Sequence, residues 1–215
     1  HDLKTPITII MMNAEILEMK LPEGSHNLSL IHSEAVRIKE MTNQLLEMAR
    51  LDTNVLPMEK RKVNLSDILQ ESVLSFELLL YQKELKLETS IQPNVIMLGN
   101  EDSLRKLIDI LLDNACQYTG PGNTVFVSLS ALPLNRVRLS VRNTGTVISR
   151  DDCKHIFDRF YRCDPTRARI EGTGLGLSIA KSIVNAHQGT ISARSETDTG
   201  TELTAVFFSQ KLKKP

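Results

Sequence analysis

Tryptophan is absent from these 215 residues and aromatic side chains make up only 4% of them, so any hydrophobic core must be aliphatic. Cysteine is scarce. Cys116, Cys153 and Cys163 are an odd number without metal-ligand spacing, which argues against a disulfide framework and fits a reducing compartment. An excess of charge is lacking too: 26 Lys and Arg offset 26 Asp and Glu, and a formal net charge of zero gives no reason to expect nucleic acid or a bulk membrane surface as partner. No apolar run approaches the roughly 18–20 residues that span a bilayer. No signal peptide or initiator Met is visible and the sequence begins inside a motif. The chain therefore reads as a fragment, and a membrane anchor is expected only in an upstream part.

What is present is a hydrophobic content of 41%, in a length suited to one large or two modest domains. From the start, Leu3, Ile7, Ile10, Ala14, Leu17 and Leu21 recur with alternating four- and three-residue spacing, a heptad seam. Pro22-Glu23-Gly24-Ser25 breaks it. A second run carries Ile31, Ile38 and Leu45, flanked by Ala35, Met41, Met48 and Ala49. Residues 1–52 thus predict two antiparallel helices of roughly 20–25 residues, each about 30–38 Å long. A lone hairpin buries one seam poorly, whereas two hairpins in a four-helix bundle bury it well, so a homodimer is expected. The alternative is a hairpin packed on its own chain's second domain.

Residues 53–62 hold a proline and several charges and read as a linker. In 63–215 the pattern turns mixed. A strand is expected at Val63–Leu65, a helix capped by Ser66 running to about Tyr81, and strands at Leu85–Ile91 and Val95–Leu98 around a Gln92-Pro93-Asn94 turn. A helix capped by Asn100 or Asp102 runs to about Tyr118, and Thr124–Leu132 and Arg136–Arg142 alternate as an antiparallel pair. Helices near Asp151–Arg159 and from Gly174 to about His187 precede closing strands at Gly189–Ser195 and Thr201–Phe208. Paired strands with interspersed helices indicate an α+β sandwich, a mixed sheet with helices on one face.

Two stretches carry chemistry. His1 lies off the apolar seam, beside Asp2 and one helical turn before Thr5. A neutral imidazole has one free nitrogen able to attack phosphorus, and a carboxylate can hold the other N–H. Far downstream, Gly172-Thr173-Gly174-Leu175-Gly176-Leu177 opens a helix, where backbone N–H groups suit phosphate oxygens. No Gly-Lys-Ser/Thr follows and no 30-residue parallel unit surrounds it, so it is neither a P-loop nor a Rossmann fingerprint. Between the two lie Asn114-Ala115-Cys116-Gln117-Tyr118, Asn143-Thr144-Gly145-Thr146-Val147-Ile148 and Phe157-Asp158-Arg159-Phe160-Tyr161-Arg162.

In this order the chain closely resembles, over essentially its whole length, the sensor histidine kinases of two-component systems, whose H, N, G1, F and G2 boxes these are. The resemblance implies a dimeric four-helix bundle of helical hairpins followed by an α+β sandwich ATP-binding domain of the histidine kinase/chaperone ATPase type. It implies His1 as phosphoacceptor, Asp2 as its acidic neighbour, and Thr5 as a residue placing water for dephosphorylation of the partner. It implies Asn114 as the residue holding Mg²⁺ and Tyr118 as packing near the nucleotide, with Gln117 where the family often has Lys. It further implies Asn143, Gly145 and Ile148 around the adenine, Phe157 and Phe160 in the mobile lid, Arg162 at the γ-phosphate, and Gly172, Thr173, Gly174, Leu175, Gly176 and Leu177 in the phosphate cradle. ATP and Mg²⁺ are the implied cofactors, and a response regulator the implied partner. The implied place is the cytoplasmic portion of a membrane sensor.

The sequence departs from the common pattern at four places. The acid of the G1 box is Asn143 and its second glycine is Val147; a second N-box Asn is Ile110 and the frequent Lys is Gln117. Asn accepts a hydrogen bond through its amide oxygen without charge, and a branched Val resists glycine-only backbone angles. A branch resembling the vancomycin-resistance sensors also reads Asn-x-Gly-x-x-Ile. The expectation is an active kinase with weakened nucleotide affinity. The alternatives are a degenerate nucleotide-binding module that docks or dephosphorylates its regulator, and an ATPase of the wider superfamily, which gives no reason for a His-Asp-x-x-Thr-Pro helix.

Overall fold

The computed structural model describes residues 4–20, 26–53, 59–163 and 173–208. It divides into two units, His1–Thr53 and Asn54–Pro215. The first is the expected helical hairpin: α1 (Lys4–Lys20) packs on α2 (His26–Thr53). Of the seam, Ile7, Ala14 and Ala35 are buried within the hairpin. Ile10, Leu17, Ile31, Ile38 and Leu45 keep 41–49% of their surface exposed. The hairpin therefore buries only part of its own apolar pattern. Leu3, Leu21 and the Pro22–Ser25 break lie outside the described residues.

The second unit begins with β1 (Arg61–Asn64), followed by α3 (Leu65–Gln82), β2 (Lys86–Ile91) and β3 (Ile96–Gly99). Then come α4 (Glu101–Tyr118), β4 (Thr124–Leu132), β5 (Arg136–Asn143), α5 (Arg150–His155), α6 (Gly176–Ala186), β6 (Thr190–Glu196) and β7 (Gly200–Phe208). Several details depart from the sequence expectations. The cap of α3 is Asn64, whose side chain accepts from Ser66 N–H. Ser66 is instead inside the helix, donating its hydroxyl to Gln92 O and accepting from Val95 N–H, so it ties the helix to the 92–95 turn. The strands around that turn do not pair with each other: β3 pairs with β1, while β2 runs parallel to β4. The expected helix at Asp151–Arg159 stops at His155.

The main sheet has the order β2-β4-β5-β7-β6, antiparallel except for β2-β4. Its alternation is strict. Val127, Val141 and Leu203 form one buried row, Leu129, Leu139 and Ala205 the next, and Ala131, Val137 and Phe207 a third, of which Val137 and Phe207 are buried. The opposite face is polar, with the Arg142 guanidinium 3.9 Å from the Phe126 ring centroid and Ser140 donating to Glu202. Helices α3, α4 and α6 supply the other half of the core. In α4, Leu104, Leu107, Ile108, Leu111, Leu112 and Ala115 recur at helical spacing and are 0–3% exposed. Asn100 caps this helix, as one of the two sequence candidates, by accepting from Ser103 N–H.

His187, 4% exposed, pins the end of α6 to the start of α4. Its Nδ1 lies 2.8 Å from Ile183 O and its Nε2 3.1 Å from Asn100 N. Since Asn100 N–H can only donate, Nε2 accepts, so Nδ1 carries the proton and the ring is neutral. Burial, opposed by the bond to Ile183, holds its pKa below the ordinary histidine value. A lowered histidine pKa means that the unfolded chain binds the proton first. The contribution is complete above the unfolded value near 6.5 and is lost as pH falls from there through the folded value. Urea unfolding should thus show stability falling below about pH 6.5, with that part of the slope absent in His187→Gln.

Candidate active site

The three core rows of the sheet continue into a fourth, and there the chemistry changes. Val125 faces Asn143, Asn143 faces Thr201, and Thr201 faces Ser195 across four strands. Period two places these polar groups on the helix-covered face, at its edge. A cavity opens beside them, lined by Asn114 and Tyr118 from α4, Asn143, Thr146 and Ile148 around the end of β5, and Ile156, Tyr161, Arg162 and Cys163 after α5. Leu177 of α6 and Thr201 and Leu203 of β7 complete it. Its walls are thus aliphatic and aromatic, with a few convergent polar groups.

The 144–148 segment is held by hydroxyls. Thr201 Oγ donates to Thr146 O at 2.8 Å, so its oxygen must accept from Ser195, 2.8 Å away. Ser195 in turn accepts from Ile148 N–H at 3.0 Å. The proton order therefore runs one way, from Ile148 N–H to Thr146 O. Thr146 Oγ donates to Tyr118 O at the end of α4. Gly145 takes a φ of +94°, and a Cβ there would sit 2.8–2.9 Å from the Asn123 side chain. The turn thus requires glycine for backbone reasons and crowding away from the cavity lining. Val147 is not among the residues with positive φ and is 43% exposed, so the branched side chain sits there without backbone strain.

Asn143 is 6% exposed, and its Nδ2 finds no acceptor among the described residues. A buried amide donor left open costs about 1–3 kcal/mol, which a hydrogen-bond acceptor in the adjoining cavity would recover. Tyr118 has its phenol pKa raised by burial, against the opposing field of Arg162. Tyr161 donates to Asp152 Oδ1 at 2.7 Å, which pushes its own pKa up to about 12 and anchors the segment after α5 to that helix. α5 is fixed by a capping box between Ser149 and Asp152. Phe160 N–H donates to Gly174 O at 2.9 Å, bringing the two flanks of residues 164–172 together. Gly174 has φ +70°, and a Cβ would meet the Phe160 backbone at 2.9 Å.

A family model described as the histidine kinase-, DNA gyrase B- and HSP90-like ATPase matches residues 99–211, and the His Kinase A (phospho-acceptor) domain matches residues 1–54. The chain belongs to the sensor histidine kinases. Sensor protein DltS of Streptococcus agalactiae is 35% identical over 198 residues, 92% of this chain and 50% of that protein. Sensor histidine kinase YkoH of Bacillus subtilis is 37% identical over 216 residues, 98% of this chain and 46% of that protein. This kinase segment therefore spans about half the length of these relatives. Full-length ShkA in complex with AMPPNP superposes with a TM-score of 0.80 at 23% identity, covering 96% of this chain and 44% of that one, a likeness of fold.

Of the site residues expected from the kinase boxes, the structure brings Asn114, Tyr118, Asn143, Ile148, Arg162 and Leu177 to the one cavity. Gln117 is turned to Asp113, donating to its Oδ2 at 2.9 Å. Phe157 is buried, whereas Phe160 is 52% exposed with φ +62°. Thr173, Gly174, Leu175 and Gly176 lead into α6, with Leu175 fully buried and Gly176 close to Ile110, so the N-box departure at Ile110 is a packing contact. Thr5 belongs to α1; His1, Asp2 and Gly172 lie outside the described residues. Sequence reasoning missed Thr146, Ile156, Tyr161, Cys163, Thr201 and Leu203 as lining residues, and Ser195 as their support. Tyr161 stands between two residues it did identify, and strand parity carried the signal for Thr201 and Leu203. Replacing Thr201 by Val keeps the shape but strips the relay of one donor and one acceptor. Urea denaturation should show about 1–3 kcal/mol lower stability at unchanged m.

Proposed function

We propose that this chain is the ATP-dependent protein-histidine kinase core of a two-component sensor. In this reading the nucleotide base enters the slot at Asn143, and His1 receives the γ-phosphoryl group. The observation that carries it is the convergence of a buried, unpartnered Asn143 amide with Asn114 and Arg162 at one partly apolar cavity, from segments far apart in sequence. The similarly folded ShkA was solved in complex with AMPPNP, which supports a nucleotide as the ligand.

Mg²⁺ suits the donor set. No group of three or more His, Cys, Asp or Glu offers a metal cage among the described residues, and a hard cation that keeps waters and phosphate oxygens needs little more than the amide oxygen of Asn114. Bound there, it would neutralise phosphate charge. Arg162 clamps the phosphate end as a fixed cation. Tyr118, Ile148 and Leu203 keep water from the base. At the acceptor, this reading gives Asp2 the role of orienting the imidazole and His1 that of the attacking nitrogen. Val147 sits without backbone strain and Ile110 lies beside Gly176, so neither departure by itself favours the degenerate module.

The exposed half of the hairpin seam supports the homodimer: Ile10, Ile31 and Ile38 line an apolar groove with Ile7, Leu30 and Ala35. A second copy of the hairpin covers it as a four-helix bundle. The remaining assignments are a response regulator that docks on this bundle and takes the phosphoryl group to an aspartate, dephosphorylation of that regulator with Thr5 placing the water, and a cytoplasmic position in a membrane sensor. They rest on the relatives' designation as sensors and on the phospho-acceptor domain match over residues 1–54.

His1→Gln should abolish acid-labile labelling from γ-labelled ATP; label retained at the wild-type level overturns the assignment. Arg162→Ala should slow labelling about 10- to 100-fold, the loss of one charge-assisted contact of about 1.5–3 kcal/mol. Ile38→Glu should convert a dimer to a monomer in sedimentation equilibrium.

A further inference from the structure

The amide of Asn143 has two faces, and nothing among the described residues holds it to one of them. Its Nδ2 has no partner among them although the residue is 94% buried. The two threonine hydroxyls beside it have already committed their protons, Thr201 to Thr146 O and Thr146 to Tyr118 O. Of the polar side chains in the fourth row of the sheet, Asn143 alone keeps an open donor. Turning its side chain by 180° about the last torsion exchanges oxygen for nitrogen at almost no cost in shape.

A purine presents an adjacent donor and acceptor on its six-membered edge. In adenine the exocyclic N6–H donates and N1 accepts. In a 6-oxopurine, O6 accepts and N1–H donates. An amide meets the first pattern in one orientation and the second in the other, making two hydrogen bonds each time. A carboxylate at this position accepts only. Opposite the 6-position it receives N6–H of adenine but sets an anionic oxygen against O6 of an oxopurine, so in this register it disfavours the oxopurine, whose only pairing with it is N1–H.

Building on the nucleotide reading above, we infer that Asn143 makes this site tolerant of both purine classes, so that 6-oxopurine nucleoside triphosphates enter the slot as well as ATP. The unpartnered Nδ2 is the donor that O6 requires. Inosine triphosphate isolates the effect, because it carries the oxopurine edge without an additional 2-amino group.

The test is calorimetric titration of the 215-residue chain with Mg-ATP and with Mg-ITP, repeated on Asn143→Asp. In the wild type the two dissociation constants should agree within about fivefold. In Asn143→Asp the ratio should move against ITP by about tenfold or more, the cost of one mismatched buried hydrogen bond. Wild-type binding of ATP with ITP more than about 100-fold weaker overturns this inference and leaves the ATP-binding reading standing. A ratio unchanged in the variant removes Asn143 from base selection. Binding of neither nucleotide overturns both readings. The wild-type ratio can overturn the inference even if the variant does not fold.

Discussion

A strand has no freedom in which face a residue occupies once its neighbours are placed. Val141 and Leu203 are driven into the core by burial, and two residues along each strand Asn143 and Thr201 must then lie on the same covered face. Register brings Ser195 beside Thr201. The polar fourth row, the one-way hydroxyl relay through Ile148, Ser195, Thr201 and Thr146, and the open amide of Asn143 all depend on that alignment. A slip of one residue would place the three on the opposite, polar face of the sheet and leave the cavity without its end wall.

The relay converts strand register into loop geometry. Hydroxyls of β6 and β7 reach the backbone of the 144–148 turn, Ser195 accepting from Ile148 N–H and Thr201 donating to Thr146 O, while Thr146 reaches back to the end of α4. The cavity is thus framed by helix α4 on one side and sheet on the other. Tyr161, held by Asp152, and the junction between Phe160 and Gly174 close the frame around it. Rigid elements supply the positions and small polar side chains couple them, which is how a site can be preorganised before any ligand arrives.

Legibility in the sequence followed the range of the interactions. The helix at Glu101–Tyr118 was readable because its cap, Asn100, and its apolar stripe are local, and β4 with β5 because an alternating pair joined by a short turn is local as well. The cap at Asn64 was misread as Ser66 because Ser66 is an equally good capping residue whose hydroxyl is spent on Gln92 and Val95, a contact made across 26 and 29 residues. The partners of β2 and β3 could not be read from the turn between them, since pairing was decided by strands elsewhere in the chain. Likewise Gln117 carried the right box position, yet its side chain prefers Asp113 one helical turn away.

The linear order of His1, Asn114, Asn143, Phe157, Arg162 and the glycine-rich stretch, together with heptad and alternating periodicities, was enough to determine the family and the fold class, because each is a local or ordinal property of the chain. Tertiary structure alone decided which of those residues meet. It brought Tyr161, Thr201 and Leu203 into the lining, turned Gln117 aside, gave Val147 an unstrained place, and left the Asn143 donor open. The reason is physical: whether a buried polar group is satisfied depends on atoms contributed by distant strands, and no local pattern contains that information.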